Sequence, residues 1–229
     1  RYFVAEPDEI ITEPVIDYLN TANLSAFAGL GPRLAIGLSA PLYVSAIHAD
    51  GETTRGLGDV RVALPYSLLA SDGGAGLGVS VVPTLDIPTG NNKLNLGSGV
   101  VRTGGLLALG YDERSNATEP TRGDWSLAMN VGAMGSPVSA DTPGGATRMV
   151  GSVGGSYLVQ DAVALALEAT TDPSLGDAIP EGLDKPKELL LSARGAGGSG
   201  LGWMVGYART LSADNSAPLY RVLAGLSWS

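Results

Sequence analysis

The chain has no cysteine, so neither a disulfide framework nor a thiolate metal site holds it together. Charge is scarce as well: 16% of its 229 residues are Asp, Glu, Lys or Arg, against about 25% in an average soluble domain. Few groups are left to cover a water-facing surface. Long hydrophobic runs are missing, the longest purely apolar one extending only from Ala162 to Leu167, whereas a membrane-spanning helix needs roughly 20 residues. A helical membrane protein is excluded. Basic residues are also few, 14 Lys and Arg against 23 Asp and Glu for a net charge of -9. They are scattered rather than clustered, which argues against a nucleic-acid partner.

Histidine occurs once, as His48. One imidazole without cysteine makes no zinc site, and any Ser-His-Asp triad would have to use this residue. The stretch Gly195-Ala196-Gly197-Gly198-Ser199-Gly200 matches a dinucleotide-binding glycine pattern. That fingerprint needs a following helix, and Trp203-Met204-Val205-Gly206-Tyr207 reads as strand, so a tight turn is the reading here. No catalytic constellation, cofactor or metal site is expected. Asp50, Glu52, Asp141, Asp172, Asp177, Glu181 and Asp184 fall in loops, where a solvated acidic rim is the default and a divalent-cation site the alternative.

What the sequence does contain is glycine, 33 residues of it, and strict alternation. In residues 33–45 one parity reads Leu34, Ile36, Leu38, Ala40, Leu42, Val44, and the other Arg33, Ala35, Gly37, Ser39, Pro41, Tyr43, Ser45. From Asp59 the large apolar set is Val60, Val62, Leu64, Tyr66 and Leu68; from Leu77 it is Leu77, Val79, Val81, Pro83, Leu85 and Ile87. A period of two marks strands whose two faces meet different media. Weaker versions cover 101–111, 125–133, 149–159, 163–169, 189–193, 201–207 and 220–228, and segments 17–29 and 1–5 bring the count to about 12. Single-chain bacterial barrels have an even strand number.

Short links rich in turn residues (29–32, 71–74, 160–161, 195–200) alternate with longer ones (6–14, 49–56, 88–97, 137–145, 171–186, 212–217). This is the pattern of short periplasmic turns and long extracellular loops. The link 112–123 breaks it, being long on the short-turn side. Pro41, Pro65 and Pro83 lie inside strands and lack a ladder donor, so each should mark a bulge or irregular pairing. Tyr66, Tyr111, Trp125, Tyr157, Trp203 and Trp228 near strand ends suit a membrane-interface girdle.

The expected fold is therefore all-β: one closed up-and-down antiparallel transmembrane β-barrel over residues 1–229. Arg1-Tyr2-Phe3-Val4 already reads as strand, so a leader is expected to have preceded it.

Gly56-Leu57-Gly58-Asp59-Val60-Arg61 opens a strand after a long loop, and Pro83-Thr84-Leu85-Asp86-Ile87-Pro88-Thr89-Gly90 closes the next. With the ending Ala217-Pro218-Leu219-Tyr220-Arg221-Val222-Leu223-Ala224-Gly225-Leu226-Ser227-Trp228, the chain resembles the barrels of OmpA-family proteins and their phenol-degradation-transporter-like relatives. The likeness covers most of the chain. It implies residence in a bacterial outer membrane among lipid, with other envelope proteins as further candidate partners. It also implies either an anchor for a peptidoglycan-binding domain or a passage for small, often apolar solutes. No peptidoglycan-binding segment lies in these residues, so cell-wall attachment is implied only for a longer chain.

The parity opposite the apolar one carries Arg33, Asp59, Arg61, Asp86, Arg102, Arg148, Glu168, Glu188, Arg194 and Arg221. Arg facing lipid near the midplane costs about 2–4 kcal/mol, so their shared parity points to a polar lumen. Asp59, Arg61, Asp86 and Arg102 are expected to form one cluster on neighbouring strands. Two uses remain open: a charged lumen that selects solutes, or an ion-pair network that fills and blocks it, since intramembrane charges usually pair. A soluble sandwich or lipocalin-like module would instead bury the apolar parity, and eight strands would leave about four unexplained.

Overall fold

The computed structural model describes residues 3–6, 9–11, 16–48, 51–70, 76–94, 96–113, 121–136, 147–160, 162–171, 174–175, 187–196, 201–211 and 220–228. In chain order the strands are β1 (Phe3–Glu6), β2 (Glu9–Ile11), β3 (Ile16–Gly29), β4 (Ala35–His48), β5 (Thr53–Leu57), β6 (Val60–Ala63), β7 (Tyr66–Leu69) and β8 (Gly76–Ile87). Then follow β9 (Arg102–Glu113), β10 (Trp125–Gly135), β11 (Thr147–Gln160), β12 (Val163–Thr171), β13 (Ser174–Leu175), β14 (Lys187–Ala196), β15 (Leu201–Thr210) and β16 (Tyr220–Trp228). Among the described residues the only helical element is one 3-10 turn, Asn92–Leu94.

One 14-stranded sheet contains everything from β3 onward, in the order β16-β15-β14-β12-β11-β10-β9-β8-β6-β4-β3. Each strand pairs antiparallel with the next, an up-and-down meander. Three short strands hang off the path: β5 on β4, β7 on β8 and β13 on β11. β5, β6 and β7 together do the work of one strand. Residues 49–56 were expected as loop, yet Thr53–Leu57 pairs with the end of β4.

The expected closure is not present in the described residues. β3 and β16 are the two edges, and the residues expected as the opening strand pair with β2 in a separate two-stranded sheet. The reason is partly one of direction. Eleven strands lie on the path, so with strict alternation both edges run the same way, and antiparallel closure takes a further strand running opposite to both.

The three prolines do different things. Pro65 sits in the gap between β6 and β7, where its carbonyl accepts from the Ala35 N–H. Pro83 lies opposite that gap, accepts from the Leu64 N–H, and keeps unbroken register with β9 on its other side. Two residues past Pro41, register slips in pairing with both neighbours, near Thr21 of β3 and between Tyr43 and Ala46. Pro41 and Pro83 thus each keep register with one neighbour, β3 and β9 respectively, although neither has a ladder donor.

The alternation holds along most of the sheet; exceptions include Phe27 on the polar parity beside Gly37 and, at strand ends, Arg209 and Glu113 on the apolar parity. One face presents large apolar side chains to the exterior, with Val153, Leu167 and Leu191 between 51% and 58% exposed in mid-strand. Buried hydrophobic residues among those described are Ala46, Leu96, Ala164 and Ala208. A water-soluble sandwich of this size would bury its leucines and valines against each other; among the described residues nothing buries that face.

Glycines on the opposite face permit close approach of β9 and β10. A Cβ at Gly132 would overlap the Gly105 carbonyl oxygen, and one at Gly104 the Ala133 carbonyl oxygen. At Gly78 the nearest atom to such a Cβ is 3.8 Å away. Gly132→Ala should therefore lower the unfolding free energy by about 1–3 kcal/mol, the usual cost of overpacking, while Gly78→Ala changes it little. Denaturant titration in detergent followed by tryptophan fluorescence checks this; equal effects would remove the packing argument.

Candidate functional site

The polar face is organised in rows that cross the strands. One row runs Ser25, Ser39, Arg61, Asp86, Arg102 over β3, β4, β6, β8 and β9, each residue directly opposite the next. A second runs Asn130, Ser152, Thr170, Glu188, Thr210 from β10 to β15. Period-two strands in fixed register stack polar residues this way, and cross-strand polar pairs stabilise such ladders by about 0.2–1 kcal/mol each.

Within the first row Arg61 makes a two-pronged ion pair with Asp86, Nε to Oδ1 at 2.7 Å and Nη2 to Oδ2 at 2.9 Å. Asp86 is 6% exposed. The fork geometry matches a planar guanidinium to a carboxylate, the strong form of such pairs. Arg102 lies opposite Asp86 on the other side. Asp59 does something the sequence did not announce: its Oδ1 accepts from the Gly90 N–H at 3.0 Å and its Oδ2 from the Ser98 N–H at 2.7 Å. Both carboxylate oxygens thus hold the segment between β8 and β9. Thr89 adds a second tie, its hydroxyl donating to the Gly58 carbonyl at 2.9 Å and accepting from the Val60 N–H at 3.0 Å.

The four charged residues of this group border one polar cavity of about 450 Å³, with Asn23, Ser39, Tyr43, Leu96 and Ser98 among its other walls. Nearby, the Thr84 hydroxyl is buried with no hydrogen-bond partner among the described residues.

The remaining candidate charges lie elsewhere on the same sheet. Glu188 and Arg221 form a bidentate pair that spans β15, with Nε to Oε2 at 2.7 Å and the Nη2–Oε1 contact shorter still. It passes over Ala208, which is fully buried and small enough to allow the span. Arg194 donates to the Ser156 hydroxyl at 3.0 Å, and Ser156 meets Ser126 at 2.8 Å. Asn130 donates to Ser152 at 3.0 Å. Glu168 faces Gly154 and Leu190 on the polar parity. Arg33 is in the exposed turn before β4, where its carbonyl accepts from the Ser67 N–H. Arg148 pairs with Met134 and Ser174 through the backbone, and its side chain lies outside the described residues. So do the side chain of His48 and the loop residues Asp50, Asp141, Asp172, Asp177, Glu181 and Asp184.

The structure gathers these charges unevenly. Asp59, Arg61, Asp86, Arg102, Glu188 and Arg221 stand near the strand ends that carry the longer connections, whereas Arg194 stands near the other end. Exposed aromatics on the apolar face divide between the two ends: Tyr207 and Tyr220 lie towards the longer connections, stacked with ring centroids 6.4 Å apart, and four others lie at the opposite ends. Trp125, Tyr157, Trp203 and Trp228 lie at or near the strand ends away from the longer connections 88–97, 137–145, 171–186 and 212–217, and the Tyr111 ring lies tilted against Trp125 with centroids 5.4 Å apart.

Among the described residues no cluster of three or more His, Asp or Glu is placed to hold a metal ion. No protein-family model and no curated protein matches this chain.

If the Arg61–Asp86 pair is structural, Asp86→Ala should cost about 1–3 kcal/mol, less than the full penalty for a buried pair because Arg61 is half exposed. Replacing both partners with apolar residues, Arg61→Met with Asp86→Leu, should recover most of it. Urea unfolding in detergent measures both; a neutral Asp86→Ala would show that the pair holds nothing together.

Proposed function

We propose that this chain is an integral β-barrel of a bacterial outer membrane, serving as a structural or anchoring wall with a narrow polar lumen. The observation that carries the reading is the apolar face: large leucines, valines and aromatics exposed along every long strand, with ion pairs and hydroxyl chains on the reverse. In hydrocarbon that arrangement costs nothing, and in water it would leave an apolar area far larger than soluble monomers tolerate.

Strand lengths agree. The long strands span 9 to 14 residues, and a tilted transmembrane strand needs about 9–11. Trp125, Tyr157, Trp203 and Trp228 form one interfacial belt of the kind that seats tyrosine and tryptophan at headgroup level.

A membrane also demands closure, because an open edge in hydrocarbon leaves N–H and C=O groups unpaired. The barrel closes by a strand running opposite to β3 and β16, and the residues before Ile16 lie next in the chain to supply it. Their present partner, a lone two-stranded hairpin, is marginal by itself.

Ion pairing on the inner face favours a wall over a wide channel. The resemblance to OmpA-family barrels makes attachment to peptidoglycan through a further domain the anchoring role for a longer chain.

The test is refolding into detergent micelles followed by gel migration with and without boiling. A closed barrel migrates faster unboiled and needs detergent to stay monodisperse. Val153→Arg, on the apolar face, should destabilise it by about 2–4 kcal/mol, and Ser152→Arg on the reverse face by less. A chain that is monodisperse without detergent, and indifferent to Val153→Arg, would overturn the reading.

A further inference from the structure

We propose that residues 88–101 form a built-in constriction of the polar lumen, hung from the Asp59 carboxylate and bordered by the Arg61–Asp86 pair and Arg102. This rests on the barrel reading above.

Connections of this length ordinarily project from the end of a barrel. Here the segment folds back over the polar face instead. Leu96, near its middle, is 1% exposed and is the largest fully buried side chain among those described. It packs against the backbone where β5 ends: a Cβ at Gly56 would lie 2.9 Å from Leu96 Cδ1, and one at Gly58 3.2 Å from the Leu96 carbonyl oxygen. Gly58 itself stands under Pro41 and Tyr43, both on the polar parity of β4.

The fixings are too many for an incidental contact. Asp59 holds two backbone N–H groups eight residues apart in the segment, Gly90 and Ser98, and Thr89 ties its start to Gly58 and Val60. Gly90 and Gly97 permit the approach, since a Cβ at either would lie 2.5 Å from the Leu96 carbonyl oxygen or from Asp59 Oδ1 respectively. The Gly58-Asp59 and Thr89-Gly90 pieces, thirty residues apart in sequence, are thus two halves of one joint.

What is left beside the segment is the cavity of about 450 Å³, bordered by two Arg and two Asp. Formal charges there sum to zero, and both Asp59 oxygens and both Asp86 oxygens are already held by donors. Such an opening suits small polar solutes, neutral or zwitterionic, and passes ions of either sign with little preference. Rings of fixed charge set ion preference in pores, so removing one acid here should tip it towards anions.

The experiment is planar-bilayer recording in potassium chloride of the full chain, Asp59→Ala, Asp86→Asn, and a chain in which residues 91–96 are replaced by Gly-Gly. Folding of each is checked by heat-dependent migration. Asp59→Ala and the shortened chain should show unit conductance raised about twofold or more, as expected when a constriction is relieved, or defined steps where the unmodified chain is silent. Asp86→Asn should shift the reversal potential in a salt gradient towards chloride. If Asp59→Ala does not fold, the shortened chain, which keeps Asp59, carries the comparison. Folded variants that conduct like the unmodified chain overturn the constriction while leaving the barrel intact. Failure of the unmodified chain to enter the bilayer overturns the barrel, and this proposal with it.

Discussion

A strand with period two must give each side chain to one of two media, and here the long strands make the same choice along most of their length, with exceptions such as Phe27, Glu113 and Arg209 near strand ends. Away from the outer sides of the edge strands β3 and β16, backbone donors and acceptors are satisfied by neighbours in the sheet, so the faces differ only in what their side chains need. The apolar face needs surroundings that do not hydrogen-bond. The polar face needs partners, and it supplies them internally: Arg61 to Asp86, Arg221 to Glu188, Arg194 through Ser156 to Ser126. Turning any strand by one residue would put these charges among the leucines, so the pairings and the register specify each other.

Small residues make the pairing possible. Ala208 lies fully buried under the Glu188–Arg221 span. Gly104 and Gly132 let β9 and β10 draw together on the polar side. Some of the glycines, such as Gly104 and Gly132, are thus placed where backbones meet. The segment between β8 and β9 uses the same economy, with glycines at its contacts and one carboxylate as its hook.

Much of this was legible in the sequence, and for a physical reason. Alternation is local, so Leu34 to Val44 and Val60 to Leu68 announce strand and face without any knowledge of neighbours. Links between strands are equally local, and the meander follows from them. What depends on register was not legible. Arg61 meets Asp86 directly because β6 and β8 pair as they do; the sequence pointed to a cluster of Asp59, Arg61, Asp86 and Arg102 on neighbouring strands, but not to which of them pair. Asp59 was expected as a member of that charge cluster, whereas its carboxylate accepts from two N–H groups of a distant segment, a role set by the approach of that segment and not by any local pattern. β5 was hidden because its five residues pair with β4 across a register slip between Thr54 and Gly56, which leaves no run of alternation. Closure depends on the sum of all strand directions, and that sum differs from the expected even count by one.

The most direct measurement uses the absence of native cysteine. Single cysteines placed along β11 from Ser152 to Tyr157, labelled with a nitroxide and reconstituted in lipid vesicles, report accessibility to oxygen dissolved in hydrocarbon and to a water-soluble nickel chelate. The account predicts strict alternation, with oxygen favoured at positions 153, 155 and 157 and the chelate favoured at 152, 154 and 156. Chelate access at both parities, or protection of 153, 155 and 157 from both reagents, would contradict it.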